Sequence, residues 1–338
     1  MKLSHIEKLS ENPQWVEKVK EASVFFTTSY ANYCEHNGSP LIYIYSDCFV
    51  IPVSISKKFF FIYASFMSEP YKYSTEEESL EEFLTAACDY VHVTFKSQWI
   101  SASATSALFM AYPKGSKHIP FGSHVIDLSL SEEELWSKVH SKHRNVIKKS
   151  EKDGVVVESG RSEKLIRDYH SLDVVTWKRS NKEDAGLEEI QNQINYLGEN
   201  AIIYMAYLDD VPQSGALLYY NQAMCYYMHG ANCDKPHTGA GNLLQWKALL
   251  DMKAAGVKKY SFVGCRINED ENSKYHGIQR FKERFGGELI QGYLFKIAFN
   301  KPLYRLYSLL LNMRVSMAAK KFTTYQDVID QEYHKWKE

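Results

Sequence analysis

The sequence has no CxxC pair, no apolar run long enough to span a bilayer, and almost no net charge. Each absence excludes something. The six cysteines, Cys34, Cys48, Cys88, Cys225, Cys233 and Cys265, are scattered, so a zinc ribbon lacks its ligand set and no metal site is expected. In a chain of this size such scatter reads as reduced, intracellular thiols rather than a disulfide framework. The cluster Leu309-Leu310-Leu311 is broken by Asn312 and Arg314, far short of the ~20 residues of a spanning helix. Met1–Glu7 holds no apolar signal-peptide core. The expectation is a cytoplasmic protein that meets a membrane only peripherally. Lys and Arg number 40 against 41 Asp and Glu, a net charge of −1. That excludes the generally basic surface of a DNA-binding protein and weakens an RNA-binding reading, tRNA included, while leaving room for one basic patch. Short repeats and low-complexity tracts are also missing.

What is present is ordinary globular material in enough length, 338 residues, for about two domains at ~100–200 residues each. Aromatics make up 14% of it, with 24 Tyr, enough to fill a core or line a groove. Leu41–Tyr45, Phe49–Val53 and Phe59–Tyr63 read as strands, with Ser46-Asp47 and Ser56-Lys57-Lys58 as turns. An acidic helix is predicted from a capping box at Thr75, and strand-like pieces near 99–112. A second capping box, Ser131 to Glu134, opens a helix predicted to run to Lys152, with Leu135, Val139 and Val146 on one face and Lys148, Lys149 and Lys152 at the end that favours cations.

From Gly154 onward the order is strand (Val155–Val157), two helices (162–177 and 186–197), three strands (201–208, 214–220, 224–229) and a glycine turn. A helix ended by Gly256 comes next, then strand (259–263), helix (278–285) and strand (288–298). That is the element order of the GNAT acyltransferase fold, and the first module gives a weaker version of it. The fold class expected is α/β with two tandem GNAT-like domains. The first would cover 1–150 with the basic helix, the second 151–300, followed by C-terminal helices over 301–338.

Gly239-Ala240-Gly241 sits between a strand and a helix, where backbone N–H groups and the helix dipole attract phosphate. In a GNAT fold this turn holds the pyrophosphate of an acyl-CoA. The pattern there begins with Gln or Arg three residues before the first glycine; here that residue is Pro236. The alternative is a tight turn that lets two helices pack closely.

Three stretches resemble the Fem family. Lys138 to Val155 is similar to its basic helix with Arg, Ile and Lys running into Gly-Val. Gly230-Ala231-Asn232 through Gly256-Val257, then Tyr260-Ser261-Phe262, resembles its turn, helix and strand. Gly277 to Glu288 resembles its closing Phe-Lys and Phe-Gly-Gly motif. The family consists of peptidoglycan-bridge aminoacyltransferases with two GNAT-like domains, which pass an amino acid from aminoacyl-tRNA to the lysine amine of a muramyl-peptide precursor; related branches are acyltransferases of envelope polymers. The first 130 residues add only a compatible element order. No segment sustains the coiled-coil arm that tRNA-using members often carry, which favours acyl-CoA or acyl-carrier donors.

The resemblance implies Lys282 as the cation that stabilises the tetrahedral intermediate, with Phe281 anchoring it. It implies Arg179, of Thr-x-x-Arg, near the acceptor phosphate. Arg144, Lys148 and Lys149 of the basic helix could grip the same diphosphate-linked acceptor, and each has the alternative of a solvated surface cation. His229, at the end of the meander, is the candidate base for the attacking amine, or else a structural histidine. Tyr275, which with His276 precedes the Gly277 motif, is a weaker candidate for an acid. The function expected is direct transfer of an acyl or aminoacyl group to an amine, less often a hydroxyl, of a phosphate-bearing envelope precursor. The donor substrate would be acyl-CoA or aminoacyl-tRNA, with no tightly bound cofactor. The rival is a non-catalytic protein of the same fold that grips a phosphorylated glycan or lipid-linked precursor.

Overall fold

The computed structural model describes residues 1–103, 108–179, 184–267, 273–319 and 327–336. The part of the 99–112 stretch at 104–107 lies outside them. The chain divides into two units, Met1–Gly122 with Gln291–Glu338, and Ser123–Ile290. This differs from the expected division at 150 and 300 in a definite way. Strands Lys117–Asp127 and Glu288–Ala298 each pass from one unit to the other along their length. The basic helix therefore goes with the second unit, and the C-terminal helices go with the first.

In the first unit, Ser4–Ile6, Leu41–Tyr45, Phe49–Lys58 and Phe61–Phe66 pair antiparallel in sequence. Phe61–Phe66 then pairs parallel with Trp99–Ala102, which pairs antiparallel with the end of Glu288–Ala298. The parallel step needs a crossover, and the helix Leu80–Phe95 supplies it. Its Phe83, Leu84, Ala87, Cys88 and Val91 fall on one face and are buried with Ile51, Val53, Phe66, Ile100 and Phe295. This helix starts at Leu80, capped by Ser79, and not near Thr75. The residues before it are tied to the Ser46–Cys48 turn: Ser46 donates to Glu78 at 2.7 Å, and Tyr73 to the Ser46 carbonyl. Tertiary contacts overrule the local capping pattern there. Likewise Lys57 and Lys58 stay in the strand, and the chain turns at Phe59, whose φ is +55°.

The C-terminal pieces, helices Lys301–Ala319 and Val328–Glu332, are fastened by Lys296. Its side chain is 4% exposed, and its amine meets Asp327, Asp330 (2.8 Å) and the Tyr304 hydroxyl (2.6 Å). Burial alone would push the amine down, but Asp327 and its neighbours outweigh burial and hold it above its ordinary value. Asp330 also accepts from Lys117 at 2.5 Å. Burial works against its charge, yet Lys117 and Lys296 prevail and hold the carboxyl down at about 2.

In the second unit the strand order is Val156–Gly160, Ala201–Leu208, Val211–Tyr220, Met224–Asn232, Lys259–Ser261 and the end of Lys117–Asp127. All neighbours are antiparallel except Met224–Asn232 with Lys259–Ser261. Alternation sends Tyr204, Ala206, Ala216 and Leu218 to one face, against Leu244, Ala248 and Leu249 of the helix Ala240–Ala254. The other face takes Tyr169 of the helix Glu163–Arg179, whose ring fills the space where a Gly215 side chain would stand. The expected single helix from 131 to 152 is two, Glu132–Lys138 and Ser141–Lys152. The Ser131–Glu134 capping box opens the first; His140 breaks the run, its N–H donating to the Arg284 carbonyl (2.8 Å) and its ring capping the second. Ile147, rather than Val146, is the buried apolar residue of the second, beside His143 and Ser150.

Replacing Lys296 by Met leaves Asp327 and Asp330 facing a buried apolar stem. The expected loss is about 3 kcal/mol of unfolding free energy, measured by denaturant titration. In acid, the share due to Asp330 is present above the ordinary carboxylate range and is lost as pH falls toward about 2. A fall in melting temperature from pH 7 to pH 3 as large in Lys296→Met as in the unsubstituted protein would contradict this.

Candidate active site

The parallel pair of the second unit opens. Met224, Cys225 and Tyr226 pair with Lys259, Tyr260 and Ser261, and there the pairing stops. The longer strand runs on to Asn232, paired among the described residues with Val211–Tyr220 alone, with a bulge where Leu217 faces His229 and Leu218 faces Tyr227. Two strands that separate midway leave unpaired backbone and a gap between them, a place where a ligand can enter a sheet.

The chain leaves Ser261 through Phe262 and Val263. Val263 has φ +44°, a left-handed backbone that a β-branched side chain rarely adopts. The Val263 N–H donates to Ser261 Oγ (3.1 Å), and Ser261 Oγ shares a hydrogen with Ser123 Oγ (2.9 Å) in the interior. So held, the carbonyls of Val263 and Gly264 accept from Lys282 Nζ at 3.0 and 2.8 Å. Lys282 is 8% exposed, and among the described residues no carboxylate pairs with it. Burial pushes its amine down to about 8. The helix that carries it, Lys274–Glu283, is fixed by rings. Phe281 lies 5.3 Å from Phe285 and 5.5 Å from His143, and Phe285 stacks on Phe262 at 5.3 Å. The stack joins the end of the helix to the end of the strand, which sets the amine on the two carbonyls. Gly286, in the closing Phe-Gly-Gly, has φ +82°, and a side chain there would meet the Lys138 carbonyl at 2.6 Å. Only glycine lets the chain pass that helix end.

His229 lies in the strand beyond the last parallel pairing, half-buried, with no hydrogen bond among the described residues. Burial lowers its pKa, which favours the neutral ring. Two further histidines of this unit have a buried Nδ1 without a partner among the described residues, His124 and His143. Burial, then the charges of Arg284 and His140, push His143 down to about 4; burial also lowers His124.

The glycine turn is packed. Gly239 has φ +92°, and a side chain on it would lie 2.3 Å from the Val146 carbonyl oxygen of the basic helix. The Ala240 N–H donates to the His237 carbonyl (3.1 Å). Gly241 starts the helix beside Ser214 Oγ. Arg179 reaches the end of the bulged strand, its guanidinium donating to the carbonyls of Asn232 (3.1 Å) and Cys233 (3.3 Å). Thr176 accepts from the Asn232 N–H at 2.8 Å, so both ends of Thr-x-x-Arg tie down the same strand terminus. Arg144 donates to the carbonyls of Trp136, Ser137 and Val139 and closes the helix Glu132–Lys138. Lys149 pairs with Asp153. Lys148 is exposed, 5.8 Å from the Trp136 ring, on a groove of about 440 Å³ with Trp246 and Leu243. Tyr275 lies under the Arg266 guanidinium at 3.8 Å, and His276 takes the Ser273 cap.

The structure thus joins Lys282, Phe281 and the Val263–Gly264 carbonyls in one constellation, with His229 on the strand that flanks the same opening. Arg144, Lys148 and the glycine turn cluster around the basic helix instead. The left-handed Val263 was not readable: a β-branched residue after Tyr-Ser-Phe extends the strand pattern, and only Gly264 hints at a turn.

Comparison with known proteins gives this geometry a context. Residues 176–312 match the FemAB family. A segment of 131 residues, 38% of the chain, is 28% identical to the lipid II:glycine glycyltransferase of Staphylococcus haemolyticus, of which it spans 31%. The crystal structure of FemX superposes with a TM-score of 0.66 at 15% identity, over 90% of this chain and 99% of that one. A tandem GNAT protein from the clavulanic acid biosynthesis pathway gives 0.52 at 10% identity, over 88% and 98%. These two likenesses speak for the fold. The Lys282 helix and the bulged strand lie inside the matched segment, and the basic helix precedes it. The chain thus resembles the FemAB family over residues 176–312, about two-fifths of its length, and shares the tandem GNAT fold of these structures.

Proposed function

We propose that the protein is a transferase that moves an aminoacyl group from an activated ester to a primary amine of a cell-envelope precursor by direct attack. The observation that carries this reading is the Lys282 amine, buried with no carboxylate partner among the described residues and held by two backbone carbonyls. An ammonium has three donors; the described residues take two, and this reading gives the third to a reacting carbonyl. When the amine attacks, negative charge gathers on that oxygen, and a fixed cation in a dry site stabilises it by ~3–4 kcal/mol. His229, neutral, takes the proton released by the attacking nitrogen and passes it to the ester oxygen, which leaves as an alcohol when the C–O bond breaks and the new C–N bond is complete. Phe281 is the positioning residue for Lys282. Lys148 and Arg179 contact the phosphates of the acceptor, and Arg144 supports them by closing the neighbouring helix. Holding donor and acceptor together removes the encounter entropy, so no covalent enzyme intermediate is required.

An aminoacyl ester, as on tRNA, is favoured over acyl-CoA by the glycine turn. The space beside Gly239 is filled by a carbonyl oxygen, which repels phosphate, and the Ala240 N–H is already engaged. The same packed turn keeps a second reading in view, a non-catalytic protein that binds the precursor. The deciding experiment incubates the purified protein with a muramyl-pentapeptide precursor and either charged tRNA or acetyl-CoA, and weighs the precursor by mass spectrometry. A gain of one aminoacyl mass with charged tRNA is expected. Precursor binding without any mass gain would give the protein to the second reading.

Lys282→Ala should lower turnover by roughly 10²–10³-fold while precursor affinity stays within about twofold, because the contact forms mainly in the transition state. Lys282→Arg should recover only part. Full turnover in Lys282→Ala would remove the catalytic assignment.

The reaction uses the charged amine, so turnover should fall as pH rises through about 8. For stability the sign is opposite. The native amine gives up its proton before the unfolded one, whose value is 10.5, so the native state gains stability between those values. A rate that climbs through pH 8 would assign Lys282 to the base instead.

A further inference from the structure

The helix Lys301–Ala319 of the first unit has two apolar faces. One is packed: Tyr307 meets Phe61 at 5.2 Å and Trp99 at 4.8 Å, and Tyr304 meets Trp99 at 5.5 Å. The other, Leu306, Leu309, Leu310, Met313 and Met317, is 39–77% exposed. Their spacing forms one stripe roughly 100° wide, the width with which a helix normally faces a core. Here no described residue covers it. Arg305 and Arg314 fall on its two margins, and Lys301 begins the helix.

The packed face leads to a second feature. Phe61 touches the Phe60 ring at 4.3 Å, and Phe60 with Phe59 forms the tip of the hairpin Phe49–Phe66. Phe59 is 92% exposed and Phe60 57%. A hairpin tip with φ of +55° is a place for Asn, Asp or Gly. Two phenylalanines there, preceded by Lys57 and Lys58, meet no folding requirement. Phe61 and Tyr307 link the hairpin to the packed face of the helix, and tip and stripe belong to the same unit.

We propose that this surface docks on a bilayer containing anionic lipid, with the helix lying in the interface and the Phe59-Phe60 tip inserted beside it. Charge selects the occupant. Lys57, Lys58, Lys301, Arg305 and Arg314 surround the apolar residues. Neither residues 49–66 nor residues 301–319 contain a single Asp or Glu, although the chain has 41. An exposed apolar stripe with basic margins and no acid is the pattern of a helix that lies on a membrane. No described helix is long and apolar enough to cross one. The inference needs no transferase activity and stands apart from it.

The test uses the full chain and vesicles of phosphatidylcholine alone or mixed equally with phosphatidylglycerol, separated by sedimentation. Retention on the mixed vesicles is expected, weakening with added salt and low on phosphatidylcholine alone. The triple variant Leu309→Ser, Met313→Ser, Met317→Ser and the pair Phe59→Asn, Phe60→Ser should each lower retention by about tenfold, with melting temperature little changed because all five side chains are more than half exposed. If the triple variant melts early, the Phe59 and Phe60 pair decides. Absence of retention on the mixed vesicles overturns the proposal, as does retention that both variants keep. So does a dimer in analytical ultracentrifugation that the same substitutions abolish without vesicle binding, which would give the stripe to a second copy.

Discussion

A lysine amine taken out of water must be solvated by something, and in the second unit the backbone does it. The Val263 and Gly264 carbonyls that meet Lys282 are available because the chain turns left-handed at Val263. That turn is held by the Ser261–Ser123 hydroxyl pair and by the Phe262–Phe285 stack. The stack in turn needs Phe285 to arrive at the correct height, which Gly286 permits by slipping under the Lys138 carbonyl. A residue that contributes one charge therefore draws on a strand end, a helix end and a glycine far from each other in sequence.

The chain buries another lysine by the opposite means. Lys296 is as deeply enclosed, but two carboxylates and a tyrosine hydroxyl surround it. Its charge is saturated and its pKa rises; that of Lys282, whose partners among the described residues are carbonyl dipoles, falls to about 8 under burial. A saturated cation ties segments together. An unsaturated one keeps part of its field for something that arrives later, and such groups are where chemistry is found. The contrast separates the fastening of the first unit from the candidate chemistry of the second.

Much of this could be read in the sequence. The strands 201–208 and 288–298, the helix opened by Gly239 and closed before Gly256, and the Phe-Lys at 281–282 follow from periodicity, punctuation and family resemblance. Three things could not. The helix break at His140 depends on a partner, the Arg284 carbonyl, 144 residues away. The start of the Leu80–Phe95 helix depends on side chains of the Ser46–Cys48 turn. And the choice between the two readings of Gly239, a phosphate cradle or a tight turn with close helix packing, rests on a neighbouring helix: here the missing side chain makes room for the Val146 carbonyl. In each case the local signal was present, and a contact from elsewhere in the chain decided its meaning.

The division of the strands Lys117–Asp127 and Glu288–Ala298 between the units has a consequence for synthesis. A chain emerges from the ribosome in order, and domains form as their parts become available. The second unit is one continuous stretch, complete by Ile290. The first is not. Its opening 122 residues lack the strand that pairs with Trp99–Ala102, and they lack Lys296 and the two helices that Lys296 fastens. The part made first is thus the part finished last, and it must wait, with an open sheet edge, while the whole of the other unit is made.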